Sequence, residues 1–262
     1  VGTLVIQDSA AAIVEYGMTV GTFSELRVDD GTVITLTFSS VDRNALKTLG
    51  LAVSKESTWL RYETFSPISD MNGNDVELIA NGGAMATTGY VGDSTSPALD
   101  TFDLNMAALQ LAMTFNEPIN PASFLLTEVV VQGDSSGTTV HQLTTSTVSF
   151  PAPQEALITL SAADANAIKY NVNPALGKSD ASSFVSFSSA LVQDQSENKI
   201  YAIAAGNSKP VTSFAVDGLQ PIMTAYAMDM RTGILQVTFN EVVLVVESRP
   251  TIRLAGVVST SE

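Results

Sequence analysis

One stretch of this chain occurs twice, and the repetition limits what the chain can fold into. Residues 98–119 read ALDTFDLNMAALQLAMTFNEPI, and residues 222–243 read IMTAYAMDMRTGILQVTFNEVV. The match is ungapped at a separation of 124 residues. It ends on the same tetrapeptide, Thr114-Phe115-Asn116-Glu117 and Thr238-Phe239-Asn240-Glu241. A period of that length is too long for a solenoid unit and fits one domain per repeat.

Other anchors recur in the same order. Residues 1–7 (VGTLVIQ) return as 126–132 (LTEVVVQ). Asp42, Asn44, Ala45 and Lys47 return as Asp164, Asn166, Ala167 and Lys169. Gly82, Tyr90, Asp93 and Pro97 return as Gly206, Phe214, Asp217 and Pro221, which places a boundary at each proline. The repeat divides the chain into 1–97, 98–221 and 222–262.

Within each copy the apolar residues alternate with period two between clusters of Gly, Asp, Asn, Pro and Ser, which is the signature of strands and turns. Residues 23–28 and 32–38 flank Asp-Asp-Gly and read as a hairpin, because Asp-Gly supplies the positive φ of a tight turn. Residues 10–21 read as a strand and a loop. Residues 58–65, which hold the sole Trp, Trp59, and the apolar runs 76–80 and 200–204 follow. The only helical patterns are two short ones, with Asp42 and Asp164 as candidate caps and Gly50 as a stop. The expected fold class is all-β: antiparallel sandwiches with one short helix each.

Thr-Phe-Asn-Glu-Pro-Ile-Asn-Pro-Ala-Ser-Phe at 114–124, then a late strand and Asp-x-x-Gly-Asn at 70–74, resemble the bacterial-type Ig-like domains of large surface proteins. The Asp-x-Asn-Ala-Leu/Ile-Lys segments resemble the tandem arrays of such domains in giant extracellular proteins of choanoflagellates, diatoms and other stramenopiles. The resemblance implies tandem Ig-like β-sandwiches, an extracellular or cell-surface location, an adhesive or filament-forming role and no catalysis. The second copy departs from it where Ser196-Glu197-Asn198 replaces Asn72-Gly73-Asn74.

The repeat is unevenly divided. Residues 1–97 hold everything from the LTEVVVQ equivalent onward, 98–221 hold a full set, and 222–262 hold the opening strands alone. A sandwich without its first strands has unpaired edges and an open core. Ile234 or Leu235, then Val237, Phe239 and Val242, with Met230 before them, give the tail an apolar face. A domain of this kind is about 40 Å long, from strands of about 10 residues, whereas the linker 217–221 spans about 17 Å at most. The expectation is therefore that the tail completes the head of a neighbouring copy, so that copies join head to tail into an open filament. Two alternatives stand beside it. The chain is an excerpt of a longer array serving as an adhesion or glycan-binding module, or the tail closes on its own head.

Composition excludes several other roles. The net charge of −15 argues against nucleic acid and anionic membrane surfaces. No apolar run approaches the ~20 residues of a membrane span. Without Cys, and with His141 as the sole His, the usual zinc ligand sets are absent. His141 follows Gly-Asp-Ser-Ser-Gly at 133–137 and reads as a surface residue near a polar turn, with nothing to indicate an orienting carboxylate. Asp70, Asn72, Asn74 and Asp75 offer oxygens to a Ca²⁺ ion but lack the closing Glu of a calcium loop. The competing reading is a turn held by Asx hydrogen bonds. Asn116-Glu117 and Asn240-Glu241 read as strand-end turns. Trp59, Phe115 and Phe239 read as core. No enzyme activity and no other cofactor is expected.

Overall fold

The computed structural model describes residues 4–19, 25–29, 31–63, 69–171 and 175–245. Parts of the expected strands at 1–7, 23–28 and 58–65, and residues 246–262 of the tail segment, lie outside the described residues. The chain forms two compact units, Val1–Asp217 and Gly218–Glu262. Among the described residues the fold is β-sheet with two short α-helices and a few 3-10 turns. No described helix is long and apolar enough to cross a membrane.

In the first unit the strands are β1 (Leu4–Gln7), β2 (Glu15–Gly17), β3 (Glu25–Asp29), β4 (Val33–Thr37), β5 (Trp59–Tyr62) and β6 (Met85–Ala86). They continue as β7 (Leu99–Asn105), β8 (Gln110–Phe115), β9 (Val130–Gln132), β10 (Val140–Gln142), β11 (Thr147–Ser149) and β12 (Glu155–Thr159). The last three are β13 (Phe184–Ser186), β14 (Lys209–Pro210) and β15 (Ser213–Ala215). Helix α1 spans Ser40–Thr48 and α2 spans Ala162–Tyr170.

The C-terminal half of this unit has a four-stranded sheet, β10-β9-β13-β14, and a five-stranded sheet, β11-β12-β8-β7-β15. Both contribute to one core. Phe102, Leu104, Leu111, Met113 and Phe115 of the β7–β8 hairpin pack with Val129, Val131, Ala156, Ile158 and Val185. The burial of β8 alternates strictly, as its period-two pattern requires. β15 joins β7 in parallel, which only a long crossover permits.

The N-terminal half repeats part of this. β2-β1-β5-β6 forms a four-stranded sheet, and among the described residues the other sheet is the pair β3-β4. Gly31, at φ +80°, sits in the turn between β3 and β4. The core here is smaller: Ile6, Met18, Leu46 and Leu51, flanked by Leu4, Val14, Tyr16, Phe38 and Ala52.

Both helices start one turn earlier than the aspartates suggest. Ser39 and Ser161 are the N-caps, each accepting from the backbone N–H of Asp42 or Asp164. The carboxylates themselves lie in the first turn, where the helix dipole favours negative charge. Gly50 follows the α1 C-cap at φ +65°, and Leu51 N–H closes on Leu46 C=O, an end geometry that favours glycine. Residues 76–80 form no strand, and Val76 and Leu78 are exposed.

The second unit contains β16 (Met223–Asp229) and β17 (Ile234–Phe239), paired as an antiparallel hairpin with Gly233 at φ +69° in its turn.

Candidate functional site

The β16–β17 hairpin reproduces β7–β8 in detail. Both pairs carry the same irregularity near their start, between Leu99 and Thr101 and between Met223 and Ala225. An asparagine closes each. Asn116 N–H donates to Ala98 C=O (3.0 Å) and its Oδ1 accepts from Ala98 N–H (2.8 Å). Asn240 makes the same two bonds with Ile222, at 3.0 and 2.7 Å. These asparagines are clamps on the hairpin base, which is more than the strand-end turn read from the sequence.

The surroundings differ completely. Leu99, Phe102, Leu104, Met106, Leu111, Met113, Phe115 and Ile119 are 0 to 7% exposed. Their counterparts Met223, Tyr226, Met228, Met230, Leu235, Val237, Phe239 and Val243 are 37 to 81% exposed. Of the residues expected to form an assembly face, Met230, Ile234, Leu235, Val237 and Phe239 are all exposed, and Val242 is half-buried. Phe239 therefore belongs to no core cluster among the described residues, unlike Phe115. Trp59 is half-buried, with its indole N–H on Glu56 C=O at 2.9 Å.

The first unit has an exposed apolar surface of its own. β4 occupies the place that β12 has in the other half, yet β12 lies between β11 and β8, while β4 has only β3 beside it among the described residues. Ala156 and Ile158 of β12 are buried; their equivalents Ile34 and Leu36 are exposed and half-buried. Beside them opens a cleft of about 400 Å³ lined by Leu4, Ile6, Met18, Ile34, Leu36 and Phe38. The equivalents of these residues, Val129, Val131, Leu143, Ala156, Ile158 and Leu160, all belong to the core that β7–β8 fills. Residues 89–91 correspond to β15 but form no strand, and Val91 is 95% exposed. None of these cleft positions stands out in the sequence by itself. Carrying each strand's partners from one repeat to the other would have found them.

Two buried aspartates anchor the helices to the sheets. Asp164 is fully buried and accepts from the backbone N–H groups of Thr144, Thr145 and Ser146 and from the hydroxyls of Thr144, Ser146 and Ser161. His141 Nε2 lies 2.9 Å from its Oδ1. Burial raises the Asp164 pKa, but the bonds from Ser146, His141, Thr145 and Thr144 outweigh it and hold the carboxyl well below the usual carboxylate range. His141 is thus tied to a carboxylate and is not a loose surface residue. That partner lies 23 residues away in sequence and is brought there by α2. Asp42 makes the equivalent contact with the hydroxyl of Tyr16 at 2.9 Å. A tyrosine in the same place as the histidine marks the contact as structural.

Between the two halves, Lys47 Nζ pairs with Asp93 (2.6 Å) and with Glu117. Asp93, Glu117 and Asp194 bring carboxylate oxygens within 4.8 Å of one another. Burial raises the pKa of Glu117, and the charges of Asp93 and Asp194 add to this; the Lys47 bond opposes it and does not prevail. Lys47, by contrast, is held protonated: burial lowers its pKa, but the bonds to Asp93 and Glu117 raise it by more. The two shifts disagree for a simple pair. They agree once one ammonium is seen to serve more carboxylates than it can neutralise.

The Asp70 turn is built from Asx hydrogen bonds. Asp70 accepts from the backbone N–H groups of Asn72 and Asn74 and from the Asn74 amide, each at 2.8 Å, and these bonds lower its pKa. Asp194 repeats the pattern with Ser196 and Asn198. The departure at Glu197 preserves the turn, with Glu197 at φ +66° where Gly73 is at +84°. Asp70's oxygens are engaged by the turn itself, and Asn74 spends its amide on Asp70.

No protein-family model and no curated protein matches this chain. Among solved structures, the N-terminal part of the bacterial S-layer protein SbsC matches at a TM-score of 0.31 and 12% identity. The match covers 55% of this chain and 31% of that one, and at that score it carries no argument about fold or role.

Proposed function

We propose that this chain is a structural subunit of an extracellular filament. In this reading it is built from tandem Ig-like β-sandwiches and joins copies head to tail. The segment 222–262 of one copy completes the N-terminal sandwich, 1–97, of the next. The observation that carries the reading is the contrast between two near-identical hairpins, one buried by its own sheet and one bare on its apolar side. Among the described residues β4 has only β3 beside it, and in this reading that flank and the cleft next to it are the receptor. Burying each large apolar side chain is worth about 1.5–3 kcal/mol, and the main-chain bonds of strand addition come with it. The net charge of −15 keeps copies apart except where such a fit exists. No catalysis is part of this reading.

Deleting 222–262 tests it by sedimentation velocity. The intact chain is expected to form large species and the deleted chain to stay monomeric. The deleted chain can accept a hairpin but not donate one, so adding it to the intact chain should shorten the polymers in proportion to dose. Polymers that form without 222–262 would refute the reading.

A further inference from the structure

Resting on the head-to-tail reading, we infer that the donated hairpin enters the middle of the receiving sheet, between β4 and residues 89–91, and pairs on both sides in one register. The template is the other half of the same unit, where β8 is antiparallel to β12 and β7 is parallel to β15. β12 lies 122 residues after β4, and β8 lies 124 residues before β17. Ala156 faces Met113, Ile158 faces Leu111 and Glu155 faces Thr114. Carried over, Ile34 faces Val237, Leu36 faces Leu235 and Val33 faces Thr238 of the second copy. The first two pairs point into the cleft and the third points out, because faces alternate along a strand.

The other rail follows in the same way. Ser213, Phe214 and Ala215 lie beside Asp103, Leu104 and Asn105. Thr212 N–H donates to Phe102 C=O (2.6 Å), and Met106 N–H donates to Ala215 C=O (2.9 Å). Carried over, residues 89–91 line up along Ala227, Met228 and Asp229 of the donor. Thr88 N–H reaches Tyr226 C=O, and Met230 N–H reaches Val91 C=O. Val91 and Ile34 are exposed in the single chain because the strands between them come from the partner. A hairpin held on both sides leaves neither of its edges open, so each receptor takes one donor and the product is a linear chain of copies. A one-residue slip would turn Val237 and Leu235 outward, which fixes the register.

The chain has no cysteine, so single-cysteine variants report cleanly. In the template, Phe115 N–H donates to Gln154 C=O, which makes the neighbouring Glu155–Thr114 pair a non-hydrogen-bonded one. Such pairs have Cα atoms about 4.5 Å apart, within disulfide reach. V33C mixed with T238C should give a disulfide-linked dimer under mild oxidation, at least tenfold faster than V33C mixed with Q236C. Hydrogen exchange on the assembled protein should slow at both 33–37 and 88–91, compared with the chain lacking 222–262. Assembly with V33C–Q236C crosslinking as fast, or with protection at 33–37 alone, would overturn this docking mode and leave the head-to-tail reading standing. Absence of any assembly would overturn both.

Discussion

The two hairpins differ in where they sit and hardly at all in how they are made. β7–β8 and β16–β17 share a length, an asparagine clamp and an irregularity at the same place. One places its apolar residues in a core of two sheets, and the other presents them to solvent. The local sequence therefore dictates the hairpin, and the presence or absence of a receiving sheet dictates its burial. The two sheets make the same point in reverse, since β12 has the β7–β8 hairpin beside it while β4, among the described residues, has only β3.

The sharpest way to break this comparison is to place one charge in each hairpin. M113D puts a carboxylate in a fully buried site and should cost about 4 kcal/mol or more, enough to unfold that half in a thermal melt. V237D, at the equivalent position, should leave monomer stability within about 0.5 kcal/mol while reducing assembly at least a hundredfold by sedimentation. If V237D melted like M113D, the hairpin would be part of this chain's own core.

The buried aspartates give the next largest effect. D164A strands the Ser146, Thr144 and Thr145 donors and should cost about 3–5 kcal/mol, read as a fall in Tm. H141Y should keep most of the stability, because Tyr16 makes the same contact with Asp42; H141A should lose about 1 kcal/mol. The folded pKa of Asp164 is depressed, so its contribution is full above the ordinary carboxylate value near 4 and is lost only as pH falls through the lower folded value. Stability that fell between pH 7 and 5 because of this residue would contradict the assignment.

Glu117 has the opposite sign. Its folded pKa is raised, so its contribution is most favourable at low pH and is lost as pH rises through the folded value. E117Q should raise Tm at pH 7 by roughly 2–4 °C, corresponding to about 1 kcal/mol, and the gain should shrink as pH falls through that raised value. The smallest expected effect is that of salt. Screening of the −15 charge should favour assembly a few-fold as ionic strength rises.

Much of the β architecture was legible in the sequence because strands announce themselves by period-two alternation and by turn residues. The β3–β4 hairpin with its glycine, the two short helices and the repeated hairpin all follow from local chemistry. The helix caps were misplaced by one turn because Ser39 and Ser161 satisfy the first N–H groups while the aspartates bind more distant partners. His141–Asp164, Lys47–Asp93–Glu117 and the parallel β15–β7 pairing depend on contacts between residues far apart in sequence, which alternation does not encode. The cleft beside β4 was hidden for a related reason. Ile34 and Leu36 look like any core residues until they are set beside their buried counterparts Ala156 and Ile158.

Head-to-tail assembly is tested by negative-stain electron microscopy of the untagged 262-residue chain beside the same chain ending at residue 221. Head-to-tail donation of 222–262 should give unbranched filaments from the first and isolated particles from the second. Isolated particles from both, under conditions where the intact chain is folded, would contradict it.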